Sequence, residues 1–339
     1  MIGRSGGLEM RASGWLVIAA SLLVWTIGNV SGRAQGGDVQ GQLSFDGRVR
    51  SYLLHRPPQA SGGRPIPLVM LLHGGGGNAS GMERMSGMNA IADKEGFFVV
   101  YPDGTAARGQ SFTWNAGACC GYALTEKVDD VGFLTALLDK LEAELPVDRS
   151  LIAVGGISNG AMMAYRFGAE RTERVAAIAS VSGTIGGQAK GQAAYVIPMP
   201  KVPVAVVAFH GTNDRYVPYE GGASSSPFAK GREDLSVAQS MAFWSRSNGC
   251  SSQSTRAVTA HVRLTEYGGC RTGGDVWLYT IEGGEHSWPG GHLQQTFLEG
   301  TLDPLGMAIN TEISASELMW SFFVAHRHAP IPTPARPEG

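Results

Sequence analysis

Six stretches of this chain are nearly uninterrupted apolar runs: 67–72 (PLVMLL), 97–101 (FFVVY), 151–155 (LIAVG), 175–181 (VAAIASV), 203–209 (PVAVVAF) and 275–281 (DVWLYTI). A strand with one wet face alternates polar and apolar residues; a run that does not alternate suits a strand covered on both faces. Between the runs lie segments with helical spacing of apolar residues, at 81–95, 128–145, from about 159, near 236–246 and at 314–326. The second of these carries acids in its first turn, where the helix dipole favours them. Strands alternating with helices predict an α/β fold with a mostly parallel, twisted sheet and helices on both faces. Upstream, 42–55 reads as two short strands about Asp46-Gly47, a favoured hairpin turn.

With 339 residues and neither repeat nor linker inside 40–328, that span is read as one domain. The first 34 residues read as a signal peptide: Arg4 and Arg11 supply positive charge, Trp15 to Val30 is mostly apolar, and Gly32-Arg33-Ala34 offers small residues for cleavage. The expectation is an exported protein, secreted or periplasmic, with no stable membrane insertion once the leader is removed. Residues 329–339 are Pro-rich and read as a disordered tail. The near balance of 27 Lys and Arg against 29 Asp and Glu gives no electrostatic footprint for nucleic acid or an anionic membrane. Four cysteines lie in the exported part, where disulfides persist. Cys250 and Cys270 flank one short segment and are favoured as a pair. Adjacent Cys119 and Cys120 are open between a bond to each other and a bond elsewhere. No C-x-x-C or nearby His supports a metal site.

Parallel sheets collect reactive groups at the carboxyl ends of their strands. Strand 151–155 runs into Gly156-Ile157-Ser158-Asn159-Gly160, a serine between glycines just before a helix. This fits a strained elbow that exposes a nucleophile, and also an ordinary turn. The pattern alone carries little weight in a chain with 48 glycines; Gly3-Arg4-Ser5-Gly6-Gly7 in the leader matches it too. Support comes from the other strand ends. Strand 203–209 runs into His210-Gly211-Thr212-Asn213-Asp214, and strand 275–281 into Gly283-Gly284-Glu285-His286. A serine hydroxyl needs a base, and the base needs a third group to fix its tautomer. Ser158, Asp214 and His286 stand in the chain order used by α/β-hydrolases. Strand 67–72 ends in His73-Gly74-Gly75-Gly76-Gly77-Asn78, where backbone N–H groups can turn towards an oxyanion; with the N–H of Asn159, that of Gly75 is the expected second donor. The glycine run lacks the Lys-Ser/Thr of a P-loop and the spacing of a dinucleotide fingerprint. Rival acids Asp234 and Asp303 and rival histidines His292 and His261 lie farther from strand ends or inside regular segments. Asp129 and Asp130, at a helix start, read as capping and ion-pairing residues rather than a metal site.

Several of these segments are long and specific: LLHGGGGN (71–78), YPDG (101–104), WNAGACCG (114–121), VDDVGFL (128–134), GISNGAMMAY (156–165), HGTNDRYVPY (210–219) and GGEHSWPGG (283–291). Through them, over about residues 40–326, the chain resembles the secreted esterases grouped with polyhydroxybutyrate depolymerases and feruloyl esterases of carbohydrate-esterase family 1. The resemblance implies an α/β-hydrolase fold, Ser158, Asp214 and His286 as the triad, and ester hydrolysis without metal or organic cofactor. The run of four glycines departs from relatives with a bulkier residue there, which leaves the second oxyanion donor open. Trp288, Trp114 and Tyr219 are candidates for contact with the acyl group, the first two also readable as core.

The expected activity is serine-esterase hydrolysis through an acyl-enzyme, polyhydroxybutyrate depolymerase-like, with feruloyl or acetyl xylan ester hydrolysis as the alternative. A peptidase or acyltransferase on the same fold, and a non-catalytic binding module, are the rivals from other classes. The short, Gly/Pro-rich connection between strands 175–181 and 203–209 predicts no large helical lid, and hence a cleft that admits a bulky or polymeric ester.

Overall fold

The computed structural model describes residues 37–226, 229–291 and 308–328. The expected leader, the Pro-rich segment 329–339, Ser5, His292 and Asp303 lie outside the described residues. Strands β1 (Gly37–Phe45) and β2 (Arg48–Arg56) form the expected hairpin about Asp46-Gly47, both with positive φ. Then come β3 (Ile66–Leu72), α1 (Ala79–Ser86), α2 (Met88–Glu95), β4 (Phe98–Pro102), α3 (Gly121–Thr125), α4 (Asp130–Glu144), β5 (Val147–Ile157), α5 (Asn159–Glu170) and β6 (Ala177–Val181). Short strands β7 (Gly186–Gln188) and β8 (Tyr195–Val196) lead to β9 (Ala205–Gly211), followed by β10 (Gly222–Ala223), β11 (Glu233–Asp234) and α6 (Val237–Asn248). The hairpin β12 (Ser252–Ala257) and β13 (Val262–Gly268), then β14 (Val276–Ile281) and α7 (Ala315–Ala325), complete the order.

One ten-stranded sheet runs β1-β2-β4-β3-β5-β6-β9-β14-β13-β12. The six strands from β4 to β14 are mutually parallel, and the two hairpin ends are antiparallel. All six apolar runs of the sequence are these six parallel strands. Their side chains divide by the two-residue period of a strand. Leu68, Met70 and Leu72 of β3 join the core under α4, α5 and α6; Val69 and Leu71 join the opposite core under α1, α2 and α7. Every residue of β3 and β9 is buried, as the absence of alternation predicts.

Two features differ from the sequence reading. The helix expected over 81–95 is two helices, because Gly87 adopts a left-handed φ of 58° and its N–H caps Glu83 O, which ends α1. The pair β12–β13 and a small sheet, ordered β10-β11-β7-β8, were not anticipated. Strand β12 (SQSTRA) is exposed throughout and has no apolar period to read, and the small-sheet strands are two or three residues long. The connection 182–204 holds only β7 and β8 and no helix, as its composition predicts. Cys250 and Cys270 are disulfide-bonded, and Cys119 is bonded to Cys120. No helix among the described residues is long and apolar enough to cross a membrane.

Candidate active site

The carboxyl ends of β5, β6, β9 and β14 are zipped together beyond their last ladder pairs. Ser158 N–H donates to Val181 O, Ser182 N–H to Phe209 O and Thr212 N–H to Ile281 O, each at 2.9 Å. The loops that carry Ser158, Asp214 and His286 therefore leave one continuous edge.

Ser158 is the turn between β5 and α5. Its φ of 56° and ψ of −124° lie outside the regions a side chain favours, so the surrounding contacts must hold it there. The glycines explain how. A Cβ on Gly156 would stand 2.7 Å from Leu72 O and from the carbonyl of Gly160, and one on Gly160 would collide with the carbonyl oxygens of Leu72 and His73. The elbow thus closes onto the end of β3 only when both positions lack side chains. Ser158 stays partly exposed.

Asp214 is buried, at 4 % exposure, and its carboxylate accepts three hydrogen bonds. Oδ1 accepts the N–H groups of Tyr216 and Val217, both at 2.9 Å. Oδ2 accepts from His286 Nδ1 at 2.8 Å and lies 3.4 Å from His210 Nε2. Burial works to raise the pKa of Asp214, but His286 and His210 outweigh it and hold the carboxyl far below the usual range. A carboxylate only accepts, so the His286 proton sits on Nδ1 and the lone pair on Nε2 faces away from Asp214. The edge of the Tyr216 ring packs on the imidazole, centroids 5.3 Å apart.

The loop after β14 then turns back along the sheet edge. Asn213 N–H donates to Gly284 O at 2.9 Å, and Trp288 Nε1 donates to Ser316 Oγ at 3.0 Å, which in turn donates to Ser86 O at the end of α1. Glu285, beside the histidine, points away and accepts Ala308 N–H at 2.9 Å.

At the end of β3, the N–H groups of Gly76 and Gly77 are engaged by Phe112 O and Gly74 O. Gly76 has a φ of 82°. Of the run 74–77, Gly74 and Gly75 keep N–H groups not engaged within the described residues, and a Cβ on Gly75 would lie 3.7 Å from Asn159 Cβ. Asn159 opens α5, where helix N–H groups have no intrahelical partner and the dipole is positive. His73, just before the glycines, is fully buried, and burial pushes its pKa down to about 4. Its Nδ1–H donates to Gly74 O at 2.8 Å, and its Nε2 accepts Gly104 N–H at 3.0 Å.

The aromatic candidates need correction. Trp114 is 0 % and Trp288 2 % exposed, and both indole N–H groups are bonded inside the protein, so neither presents a face to an acyl group. Tyr219 is half-buried; its hydroxyl pairs with Thr280 Oγ1 at 2.9 Å and its ring stands edge-on to His210. The rival acid Asp234 is paired with Arg232, and the rival His261 with Glu312 at the surface. Asp129 caps α4 by accepting Gly132 N–H, and Asp130 pairs with buried Arg50, as their place at a helix start suggests. Sequence reasoning passed over His210, although it ends a buried strand four residues before Asp214. Among the described residues no cluster of His, Cys, Asp or Glu is placed to hold a metal ion.

Comparison with known proteins bears on the family and the fold. Residues 50–210 match the family described as esterase PHB depolymerase. NocK of Nocardia uniformis subsp. tsuyamanensis, named as an esterase, is 34% identical over 262 residues, 72% of each chain. Feruloyl esterase B of Piromyces equi is 27% identical over 257 residues, 74% of this chain and 45% of that protein's length. Among solved structures, an acetyl xylan esterase from Aspergillus awamori superposes with a TM-score of 0.53 at 15% identity, covering 74% of this chain and 94% of that one; at that identity the likeness speaks for the fold alone.

Proposed function

The chain belongs to the esterase PHB depolymerase family and is a serine esterase of the α/β-hydrolase fold, and from that premise we propose that Ser158 is its nucleophile, His286 its base and Asp214 the acid that orients the base. Ser158 Oγ attacks the ester carbonyl while His286 Nε2 takes its proton. The oxyanion forms against the N–H groups of Asn159 and Gly75. The C–O bond to the alcohol then breaks, His286 returns the proton to the leaving oxygen, and water, with His286 again as base, cleaves the acyl-enzyme. The observation that carries this reading is the buried carboxylate of Asp214 in contact with His286 Nδ1 at 2.8 Å, on the strand edge from which Ser158 rises.

The substrate we propose is an aliphatic ester of the polyhydroxyalkanoate kind, in a cleft open enough for a polymer chain. Support comes from the family and from the lack of any helix in 182–204. The name of the Piromyces relative favours a second reading, feruloyl esters of plant polysaccharide. Export is part of the proposal: the disulfides suit an oxidising compartment.

The test is a hydrolysis panel of 3-hydroxybutyrate oligomers, methyl ferulate, acetylated xylan and p-nitrophenyl esters of graded length. Ser158→Ala is expected to lose at least about 10⁴-fold in kcat. Activity surviving in that variant would end the assignment of the nucleophile. A preference of kcat/KM for methyl ferulate over the oligomers would move the substrate to the second reading.

A further inference from the structure

We propose that Trp114 is a positioning residue that fixes the distance between the two backbone donors to the oxyanion, the amides of Asn159 and Gly75; this rests on the assignment of those donors above. Trp114 is wholly buried and touches no substrate. It is, however, bonded to both walls of the site. Its backbone N–H donates to Asn159 Oδ1 at 2.7 Å, and its carbonyl accepts from Asn159 Nδ2 at 2.9 Å. Its indole Nε1–H donates to His73 O at 3.0 Å, two residues before Gly75, and its ring lies against the His73 imidazole with centroids 5.0 Å apart. The same segment is bridged to the glycine run, where Gly76 N–H donates to Phe112 O at 2.8 Å. One short stretch of chain therefore spans the gap between the elbow and the glycines.

That stretch is anchored from behind. Asn115 N–H donates to Asp130 Oδ2 at 2.7 Å, and Arg166 Nη1 donates to Asn115 O at 2.8 Å. Asp130 is held in turn by Arg50 at 2.8 Å, with side-chain exposures of 0 % and 3 %. A buried ion pair gains little net stability, because desolvation offsets its attraction. Here it fixes the backbone next to Trp114. A buried indole N–H needs an acceptor, and the one Trp114 uses is a carbonyl of the opposite wall. Oxyanion stabilisation depends on donors placed in advance, and displacement of a donor by a fraction of an ångström weakens it steeply.

The test is Trp114→Phe, which keeps the aromatic body and all backbone bonds and deletes the indole N–H. With p-nitrophenyl butyrate, kcat is expected to fall roughly tenfold with KM within about twofold. Inhibition by phenylboronic acid, a mimic of the tetrahedral intermediate, weakens by the same factor, while inhibition by butyrate does not change. Asn159→Ala keeps the backbone amide at 159 but cuts the two bonds on the other side. The double variant is expected to lose less than the product of the single losses, since either change releases the same span. A kcat for Trp114→Phe within twofold of the parent, boronate affinity unmoved while kcat falls, or multiplicative losses in the double variant would each overturn the proposal. Ser158→Ala run alongside separates the two claims: an active Ser158→Ala enzyme defeats the site assignment and the span together, whereas an inactive one beside a full-rate Trp114→Phe enzyme defeats the span alone.

Discussion

At the scale of single residues, the site depends on which atoms carry protons. Asp214 accepts three hydrogen bonds, and the proton between it and His286 lies on the imidazole. Asp214→Asn keeps the size of the side chain, and its Oδ1 can still accept the N–H groups of Tyr216 and Val217. Its amide N–H₂ then faces His286 Nδ1, which must become the acceptor. The imidazole proton moves to Nε2, where it cannot take one from Ser158. The expected result is a fall in kcat of about 10³–10⁴-fold with a circular dichroism spectrum unchanged from the parent. Steady-state kinetics at a saturating ester concentration measures it. The placement of Ser158, Asp214 and His286 at neighbouring strand ends was legible in the sequence because each follows an apolar run that suits a buried strand. The contacts of His210, Trp114 and the Asn159 side chain were not, since their meaning lies in partners 4, 41 and 45 residues away that no local period encodes.

Among the elements, the junction of β3, β5 and α5 has the tightest tolerance. The backbone of α5 at Gly160 lies against the last carbonyls of β3, with the Leu72 carbonyl carbon 2.7 Å from where a Cβ would be. Gly160→Ala therefore pushes α5 away from β3 and moves Ser158 with it. The expected destabilisation is about 1–3 kcal/mol, with a loss of kcat. Gly62→Ala, where a Cβ meets nothing within 4 Å, is the control and is expected to change stability by less than about 0.5 kcal/mol. Chemical denaturation of both variants measures the difference. Elements with a strong apolar signal, uninterrupted in all six parallel strands and helically spaced in α4 and α7, were readable before any coordinates. Those without one were not. β12 has six exposed residues, and β10 and β11 two residues each, so they are set by the partner strand rather than by their own pattern. The break at Gly87 was missed for a similar reason, since Met85 and Met88 are both buried and keep the helical spacing apolar across it.

For the whole molecule, His73 links stability to pH. An exposed histidine has a pKa near about 6.5, and burial pushes this one down to about 4. Above the unfolded value both states are neutral and the contribution is constant. Between about 6.5 and 4 the unfolded chain takes up a proton that the folded chain refuses, so stability falls as the pH falls, by on the order of 3 kcal/mol, and the loss levels off below about 4. Asp214 acts in the same direction at lower pH, being held below its unfolded value and losing its contribution as that carboxyl is protonated. Denaturation midpoints between pH 7.5 and 4 are expected to decline, and His73→Asn to show a shallower decline over that interval. An equal slope in the variant would assign the dependence to other groups. Finally, the outermost strand β12 offers one open row of peptide groups along a ribbon ten strands wide, bordered by Ser252, Gln253, Ser254, Thr255 and Arg256. Another molecule laying a strand along β12 would find mostly hydrophilic side chains to cover, so this edge gives crowded neighbours no greasy seam through which to fuse into fibrils.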